Sequence, residues 1–149
     1  EKSFEKISDA DWDHMLVSNL RGAFSFSQEV IPYMIKSKWG RIVNVVSISG
    51  QWGGRNQIHY AASKAGVEAF SRTFAREMAG FNVRVNCIAP GPIRTDLLRG
   101  ITDTQIKKIT SQQIIPKQFQ KSDVCDLVEL LIDSRASSLS GQTLNIGGV

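Results

Sequence analysis

The sequence predicts an α/β domain built on a doubly wound parallel sheet, of which about three strands and their flanking helices are present. Segments with helical periodicity alternate along the chain with short β-branched segments, which is typical of strand–helix–strand units. The short segments are apolar throughout, as strands covered on both faces are. Right-handed crossovers between such strands place helices on both faces of the sheet. With 149 residues, 42% of them hydrophobic, the chain has material for one globular domain.

A long helix and a buried strand are predicted for the first third of the chain. Ser8 and Asp11 have the spacing of a capping box, and apolar residues then recur at helical intervals to about Lys36. The stretch RIVNVV, from Arg41 to Val46, is short and β-branched and follows a glycine, which predicts a buried strand. The Ser- and Gly-rich stretch SISGQWGG after it predicts a loop.

The remainder of the chain repeats this alternation. A helix is expected over about Ile58 to Met78, followed by a second buried strand, VRVNCIA, which ends at Ala89 because the prolines of PGP cannot continue the ladder. Thr102 and Ser122 are predicted N-caps of two further helices. The stretch QTLNI predicts a last short strand.

Composition and charge exclude several classes of protein. The net charge is +4, but the basic residues are scattered, so no nucleic-acid-binding stripe is indicated. Cys87 and Cys125 each lie in an apolar context, and we expect both to be buried, reduced thiols rather than a disulfide or metal ligands. There is no apolar run of membrane-spanning length, and the first residues lack the layout of a signal peptide, so we expect a cytoplasmic protein.

The candidate catalytic residues cluster at one edge of the predicted sheet. Tyr60 and Lys64, in the stretch HYAASKAG, are four residues apart and therefore lie on the same face of their helix. Ligands of such sheets bind beyond the carboxyl ends of the strands. Ser47 follows the first strand and the segment 90–95 follows the second, so both should approach the Tyr60–Lys64 pair at that edge.

These residue types suit proton transfer to an oxygen that gains negative charge. An ammonium group near a phenol favours the phenolate, so the phenol becomes a usable proton donor and acceptor near neutral pH. The Ser47 hydroxyl can donate a hydrogen bond to a carbonyl oxygen as hydride arrives at its carbon. Ser47, Tyr60 and Lys64 together therefore suit proton transfer to an alkoxide.

Five stretches give the chain a family resemblance: SNLRGAFSFSQ, GRIVNVVSISG, YAASKAG, VRVNCIAPGPIRTD and SGQTLNIGG. In this order and spacing they resemble the short-chain dehydrogenase/reductase family, which has a Rossmann-like fold, and more closely its 3-oxoacyl-[acyl-carrier-protein] reductase-like branch. The resemblance implies that Tyr60 is the proton donor and that Ser47 orients the substrate carbonyl. It also implies that Lys64 acts on the phenol and holds the nicotinamide ribose, and that Asn19 supports a water in a proton relay.

The same resemblance implies a nicotinamide cofactor, with NADP(H) expected ahead of NAD(H). Ile93 and Thr95 match positions that meet the nicotinamide carboxamide, and Pro90 and Gly91 match the turn before them. A homo-oligomer, a dimer or tetramer, is implied because the helix of Tyr60 packs against its copy in the family, and no metal is implied.

The family's opening strand with the turn T-G-x-x-x-G-x-G, and its later N-A-G, do not occur in the sequence. We therefore expect residues 1–149 to be the carboxyl-terminal catalytic portion of a single Rossmann-like domain, with the amino-terminal dinucleotide-binding part absent.

The substrate remains open between several alternatives. The resemblance indicates a 3-oxoacyl thioester on an acyl carrier protein, whose acidic surface could meet Lys36, Lys38 and Arg41, although these residues equally fit a solvated helix end. Phe81 stands where carrier-protein reductases often have a basic residue, which weakens the specific carrier-protein interpretation, and a general ketone or alcohol is the second alternative. A subunit that keeps the fold without turnover is a third alternative. Ser47 with His59 does not indicate a hydrolase, because there is no G-x-S-x-G stretch.

Overall fold

Parallel strands form the sheet in the computed structural model, which describes residues 2–93, 95 and 100–148. The strands are β1 (Gly40–Val45), β2 (Val83–Ala89) and β3 (Thr143–Asn145), in the spatial order β1-β2-β3. Val45 of β1 pairs with Ile88 of β2, and Ala89 pairs with Asn145 of β3. The three strands therefore end at the same edge of the sheet, and the predicted α/β class with a parallel sheet is confirmed.

Helices separate the strands in the predicted alternation. They are α1 (Asp9–Leu16), α2 (Gly22–Ser37), α3 (Ile48–Trp52), α4 (Ile58–Met78), α5 (Asp103–Thr110) and α6 (Lys121–Ile132). Ser8 caps α1 in a capping box with Asp11, and a π-helical turn, Val17–Arg21, joins α1 to α2. The long helix expected to end near Lys36 is thus present, but it is interrupted by a wider turn. None of the helices in the described part of the chain is long and apolar enough to cross a membrane.

Strand β2 is covered on both faces, as its apolar sequence predicts. Val83 and Val85 pack against residues of α2 and α4, and Cys87 and Ala89 continue the same row. The alternate side chains, Arg84 and Asn86, donate to the carbonyl oxygens of Ser137 and Leu139, which follow α6. Side chains two residues apart on a strand share a face, so these bonds place the segment after α6 on the other face of the sheet.

Several boundaries differ from the prediction. The SISGQWGG stretch, predicted as a loop, contains helix α3. Strand β1 ends one residue before Val46, although the Val46 amide still donates to Ile88 O at 2.8 Å. Ser122 is not a cap, because α6 begins at Lys121 with Gln120 as its N-cap and the Gln120 amide donates to the Asp123 carboxylate. Thr102 does cap α5, through the amide of Gln105.

The two cysteines have different environments. Cys87 is buried, as predicted, and burial raises the pKa of its thiol. Cys125 is exposed, so the prediction that it is buried is wrong. Its position in α6 follows an apolar periodicity that places Leu131 inside and leaves Cys125 toward solvent.

Candidate active site

Helix α4 brings Tyr60 and Lys64 to the carboxyl end of β1. The Lys64 Nζ lies 5.8 Å from the centroid of the Tyr60 ring. The same Nζ donates a hydrogen bond to Val45 O, at the last residue of β1, over 2.9 Å. The two residues that the spacing predicts to share a helix face therefore lie together, and the lysine joins that face to the end of the strand.

Lys64 is partly withdrawn from water. Burial disfavours its charged form and lowers the pKa of its ammonium group from the ordinary value of 10.5. An ammonium has three donors, and the bond to Val45 O occupies one of them. Within residues 2–93, 95 and 100–148 the ammonium makes no other hydrogen bond, so two of its donors can serve hydroxyl groups or water.

Ser47 is held at the N-terminus of α3, two residues beyond the end of β1. Its Oγ accepts a hydrogen bond from the Ser49 amide at 3.2 Å, and its carbonyl oxygen accepts one from the Gly50 amide at 2.9 Å. A Cβ on Gly50 would lie 2.8 Å from the backbone nitrogen of Ala65 and 3.0 Å from the carbonyl carbon of Lys64. Helix α3 therefore packs directly on the backbone of α4 beside Lys64, and only glycine allows this approach.

Asn19 lies in the π-helical turn and is linked to Tyr60 through Ser63. Its Nδ2 donates to the Ser63 Oγ at 3.0 Å and to the Met15 Sδ at 3.1 Å, and the Ser63 Oγ donates to Tyr60 O at 2.7 Å. Ser63 is fully buried. Single π-helical turns inside α-helices are common at functional sites. Sequence reasoning missed Ser63, although its place in the small-residue stretch YAASKAG is a usable signal.

The small residues of that stretch serve contacts within the chain. A Cβ on Gly66 would lie 2.9 Å from Leu20 Cδ2, so the π-helical turn approaches α4 closely. Ala65 is the residue against which Gly50 packs. Gly66 therefore needs to be small because of Leu20, before any contact with another subunit is considered.

The segment after β2 leaves the sheet at the same edge. Gly91 lies against the side chain of Gln113, and a Cβ on it would also lie 3.2 Å from Ile146 O. Ile93 forms an isolated parallel bridge with Phe119, and Thr95 is exposed. Arg94, between them, lies outside the described residues.

The predicted site residues fall into two groups. Hydrogen bonds and ring contacts link Asn19, Tyr60 and Lys64 to one another or to the end of β1, and Ser47 follows that end by two residues. Among the described residues, no such bond links Ile93 or Thr95 to this group.

The residues at this edge fit a nicotinamide cofactor and do not form a metal site. Beyond its bond to Val45 O, the Lys64 ammonium has donors suited to ribose hydroxyls. No group of three or more potential metal ligands occurs within residues 2–93, 95 and 100–148. His59 is buried, and its Nδ1 has no partner in the same part of the chain, so it lacks the carboxylate that orients the histidine of a hydrolase triad.

A parallel α/β sheet with a Tyr-x-x-x-Lys helix at its carboxyl edge defines the class of the protein, and comparison with known proteins agrees. The family model described as enoyl-(acyl carrier protein) reductase matches residues 1–148. The chain belongs to the short-chain dehydrogenase/reductase family, in its 3-oxoacyl-[acyl-carrier-protein] reductase-like part.

Curated relatives support that placement. The chain is 37% identical over 143 residues to the 3-oxoacyl-[acyl-carrier-protein] reductase FabG of Thermotoga maritima, covering 96% of this chain and 58% of the relative. It is 36% identical over 148 residues to nodulation protein G of Azospirillum brasilense, covering 99% of this chain and 60% of the relative. The chain is 36% identical over 149 residues to the 3-oxoacyl-[acyl-carrier-protein] reductase FabG of Aquifex aeolicus, covering 99% of this chain and 60% of the relative. The chain thus spans about three fifths of the length of these relatives.

Proposed function

We propose that the full-length protein is an NAD(P)-dependent oxidoreductase that reduces a ketone to a secondary alcohol. One observation supports the proposal most strongly: Tyr60 and Lys64 lie together at the end of β1. Ser47 follows the last residue of that strand by two positions. The relatives named 3-oxoacyl-[acyl-carrier-protein] reductase support a 3-oxoacyl thioester as the substrate. A general ketone or alcohol substrate is the alternative within the same chemistry.

The proposed roles follow from the chemistry of each side chain. Ser47 donates a hydrogen bond to the substrate carbonyl oxygen and fixes its direction. When bound, the nicotinamide supplies the hydride that forms the new C–H bond. Tyr60 gives its phenolic proton to the oxygen, which carries the electron pair of the former C=O π bond, so the product is a neutral alcohol. Lys64 stabilises the phenolate left on Tyr60 by its positive charge.

Reprotonation of Tyr60 requires a path to solvent. Asn19 is bonded to Ser63, which is bonded to the Tyr60 carbonyl and precedes Lys64 by one residue, so the asparagine is fixed beside the segment that carries the catalytic pair. We propose that Asn19 supports a water that returns a proton through Lys64, and that the bond to Ser63 holds it for this role.

The remaining cofactor contacts belong to the same proposal. Lys64 and Tyr60 would hold the nicotinamide ribose, and Ile93 and Thr95 would hold the carboxamide beyond the turn of Pro90 and Gly91. NADP(H) is proposed ahead of NAD(H), on the resemblance alone. The residues 1–149 are proposed to be the carboxyl-terminal catalytic portion of one Rossmann-like domain.

A carrier protein as substrate donor has weaker support. Lys36 and Lys38 are exposed and precede β1, whereas Arg41 is turned onto the ring of Trp39, 5.3 Å from its centroid. These residues lie at the amino end of the strand, about 20 Å from its carboxyl end at about 3.3 Å per residue. A carrier docked there would have to deliver its acyl group over that distance, so the proposal extends to a small-molecule ketone as well.

Two further properties are proposed for the intact enzyme. A second copy is expected to cover the outer side of the long helices, where a groove of about 410 Å³ is lined by apolar residues and one arginine: Leu16, Val17, Leu20, Arg21, Phe24 and Phe70. A cytoplasmic location is proposed because both cysteines are free thiols, which persist in reducing compartments.

Replacement of Tyr60 by Phe tests the proposed function. We expect Tyr60→Phe in the full-length protein to slow hydride transfer to a 3-oxoacyl thioester by about a hundredfold or more, as loss of a general acid does. Its Kd for NADPH should rise less than that of Lys64→Ala, because Tyr60→Phe removes one hydroxyl contact to the ribose and Lys64→Ala removes the ammonium donors and their charge. Stopped-flow reduction and a binding titration separate the two effects. Near-normal turnover of Tyr60→Phe would exclude Tyr60 as the proton donor.

A further inference from the structure

A partly buried polar cluster ties helix α3 to two other elements at the edge where Ser47 lies. The Gln51 Nε2, on α3, donates to the Glu68 Oε1 at 3.0 Å and to the Asn145 Oδ1 at 3.3 Å. The Asn145 Nδ2 donates back to the Gln51 Oε1 at 3.1 Å. Glu68 belongs to α4, and Asn145 ends β3, so one carboxamide connects three elements.

The buried carboxylate of Glu68 makes the loss of a hydrogen bond in this cluster costly. Its side chain is only 7% exposed, and a buried carboxylate is stable only when donors satisfy it. Gln51 supplies one such donor, a neutral amide, and the charged neighbour Arg72 is largely exposed with its Nη1 3.5 Å from the Glu68 Oε2. Gln51 is therefore the donor that reaches the carboxylate from the α3 side.

Helix α3 depends on contacts of this kind. It has five residues, too few for a helix to be stable by its own hydrogen bonds. Ser47 is its N-cap, so the direction of the Ser47 hydroxyl follows the position of α3. Gln51 lies one helical turn after Ser47 and attaches the far end of α3 to Glu68, one turn after Lys64.

We propose that Gln51 is a positioning residue for Ser47, because its carboxamide fixes α3 to Glu68 and Asn145 and thereby fixes the hydroxyl that meets the substrate carbonyl. The inference rests on the proposed function, in which Ser47 contacts substrate and Gln51 does not.

A double-mutant cycle in the full-length protein tests this role. We expect Gln51→Ala to lower kcat for a 3-oxoacyl thioester by about tenfold, because a misplaced catalytic group slows the chemical step. KM and the Kd for NADPH should change by less than about twofold. In a Ser47→Ala background the same substitution should lower kcat by less than about twofold, since it acts through Ser47.

The outcomes separate this inference from the proposed function. Equal loss from Gln51→Ala in both backgrounds, or no loss in either, overturns the positioning role and leaves the proposed function standing. Full activity of Ser47→Ala overturns the proposed role of Ser47, and the inference with it. Arg72→Gln is the matched control, because it removes the exposed neighbour of the same carboxylate, and its kcat should match that of the parent.

If Gln51→Ala does not fold, the role can still be tested by exchanging the amide donor of Gln51 and the carboxylate of Glu68. Gln51→Glu places two carboxylates against each other and should lower both kcat and the melting temperature. The pair Gln51→Glu and Glu68→Gln restores one donor and one carboxylate in exchanged positions and should recover most of the lost kcat. A doubly substituted protein that melts like the parent but keeps the low kcat of Gln51→Glu overturns the inference.

Discussion

The segments that follow β1 and β2 leave the sheet at the same edge but are held in different ways. After β1, Ser47 caps a helix, Gly50 packs on the backbone of α4, and Gln51 bonds to Glu68 and Asn145. After β2, the described residues show one bridge, from Ile93 to Phe119, and a contact of Gly91 with Gln113, whereas the Thr95 side chain faces solvent.

This difference fits the proposed roles of the two segments, in which the segment after β1 orients the substrate and the segment after β2 binds the cofactor. A hydroxyl that orients the substrate carbonyl must be held within a fraction of an ångström, so it is built on packed elements. A segment that receives the cofactor can present its polar groups to the ligand instead. The comparison therefore predicts that substitutions after β1 lower kcat, and that substitutions after β2 weaken cofactor binding.

The largest effect is expected at Gly50. Gly50→Ala would place a Cβ against the backbone of Lys64 and Ala65, which cannot yield as a flexible side chain does. Helix α3 must shift, so we expect kcat to fall by about a hundredfold and the melting temperature to fall as well. Steady-state kinetics and thermal unfolding of the full-length variant measure both.

Gly80→Ala is the matched control for this prediction, because a Cβ at that glycine would meet nothing within 4 Å. Its kcat and melting temperature should stay close to those of the parent. If Gly50→Ala behaved like Gly80→Ala, the direct packing of α3 on α4 would have no bearing on catalysis.

A smaller effect is expected at Thr95. Thr95→Val keeps the shape of an exposed side chain and removes its hydroxyl. We expect the Kd for NADPH to rise about threefold to tenfold, as loss of one hydrogen bond to a ligand does, with kcat nearly unchanged. Thr104→Val, on the exposed side of α5, is the control, and an equal rise in Kd there would remove the specific role of Thr95.

Much of the fold could be predicted because the core pattern is local. The observed bounds of α4, Ile58–Met78, are those the periodicity predicts, and β2 reads as a strand buried on both faces. Helix α3 could not be predicted, because its five Ser- and Gly-containing residues are fixed by contacts with α4 rather than by helix propensity. Ser122 is not a cap because Gln120 and Asp123 form the capping contact, with the N-cap two residues earlier than predicted.

The candidate site was predictable only in part. Tyr60 and Lys64 share a face at a spacing of four residues, which follows from helix geometry alone. The bond between Asn19 and Ser63 joins positions 44 residues apart, and the Gln51–Asn145 pair joins positions 94 apart. Such contacts depend on how the helices and strands pack in three dimensions, so the spacing of the residues along the chain does not predict them.

The smallest effect concerns the pH dependence of stability at Lys64. Because burial lowers the pKa of Lys64 below 10.5 in the fold, the unfolded chain binds more protons than the folded one between the two pKa values. The free energy of unfolding therefore rises as pH increases from the pKa of Lys64 in the fold to its pKa in the unfolded chain. Below both pKa values Lys64 is charged in the fold, and the full cost of burying that charge lowers stability. We expect the free energy of unfolding of the parent, relative to Lys64→Met, to increase by less than about 1 kcal/mol as pH approaches 10.5.

Urea unfolding at several pH values measures this difference, and the exposed Lys107→Met corrects for the loss of a lysine as such. A difference that decreases as pH rises would contradict the desolvated state of Lys64.

Amide hydrogen exchange, with and without NADPH, tests the difference between the two segments most directly. In the full-length protein without cofactor, the amides of Ser49 and Gly50 should already exchange slowly, because they are bonded to Ser47. Saturating NADPH should change their exchange by less than about twofold, while the amides of Ile93 and Thr95 should slow by about tenfold. Protection of Ser49 and Gly50 that arises only with NADPH would contradict the claim that the chain itself holds Ser47 in place.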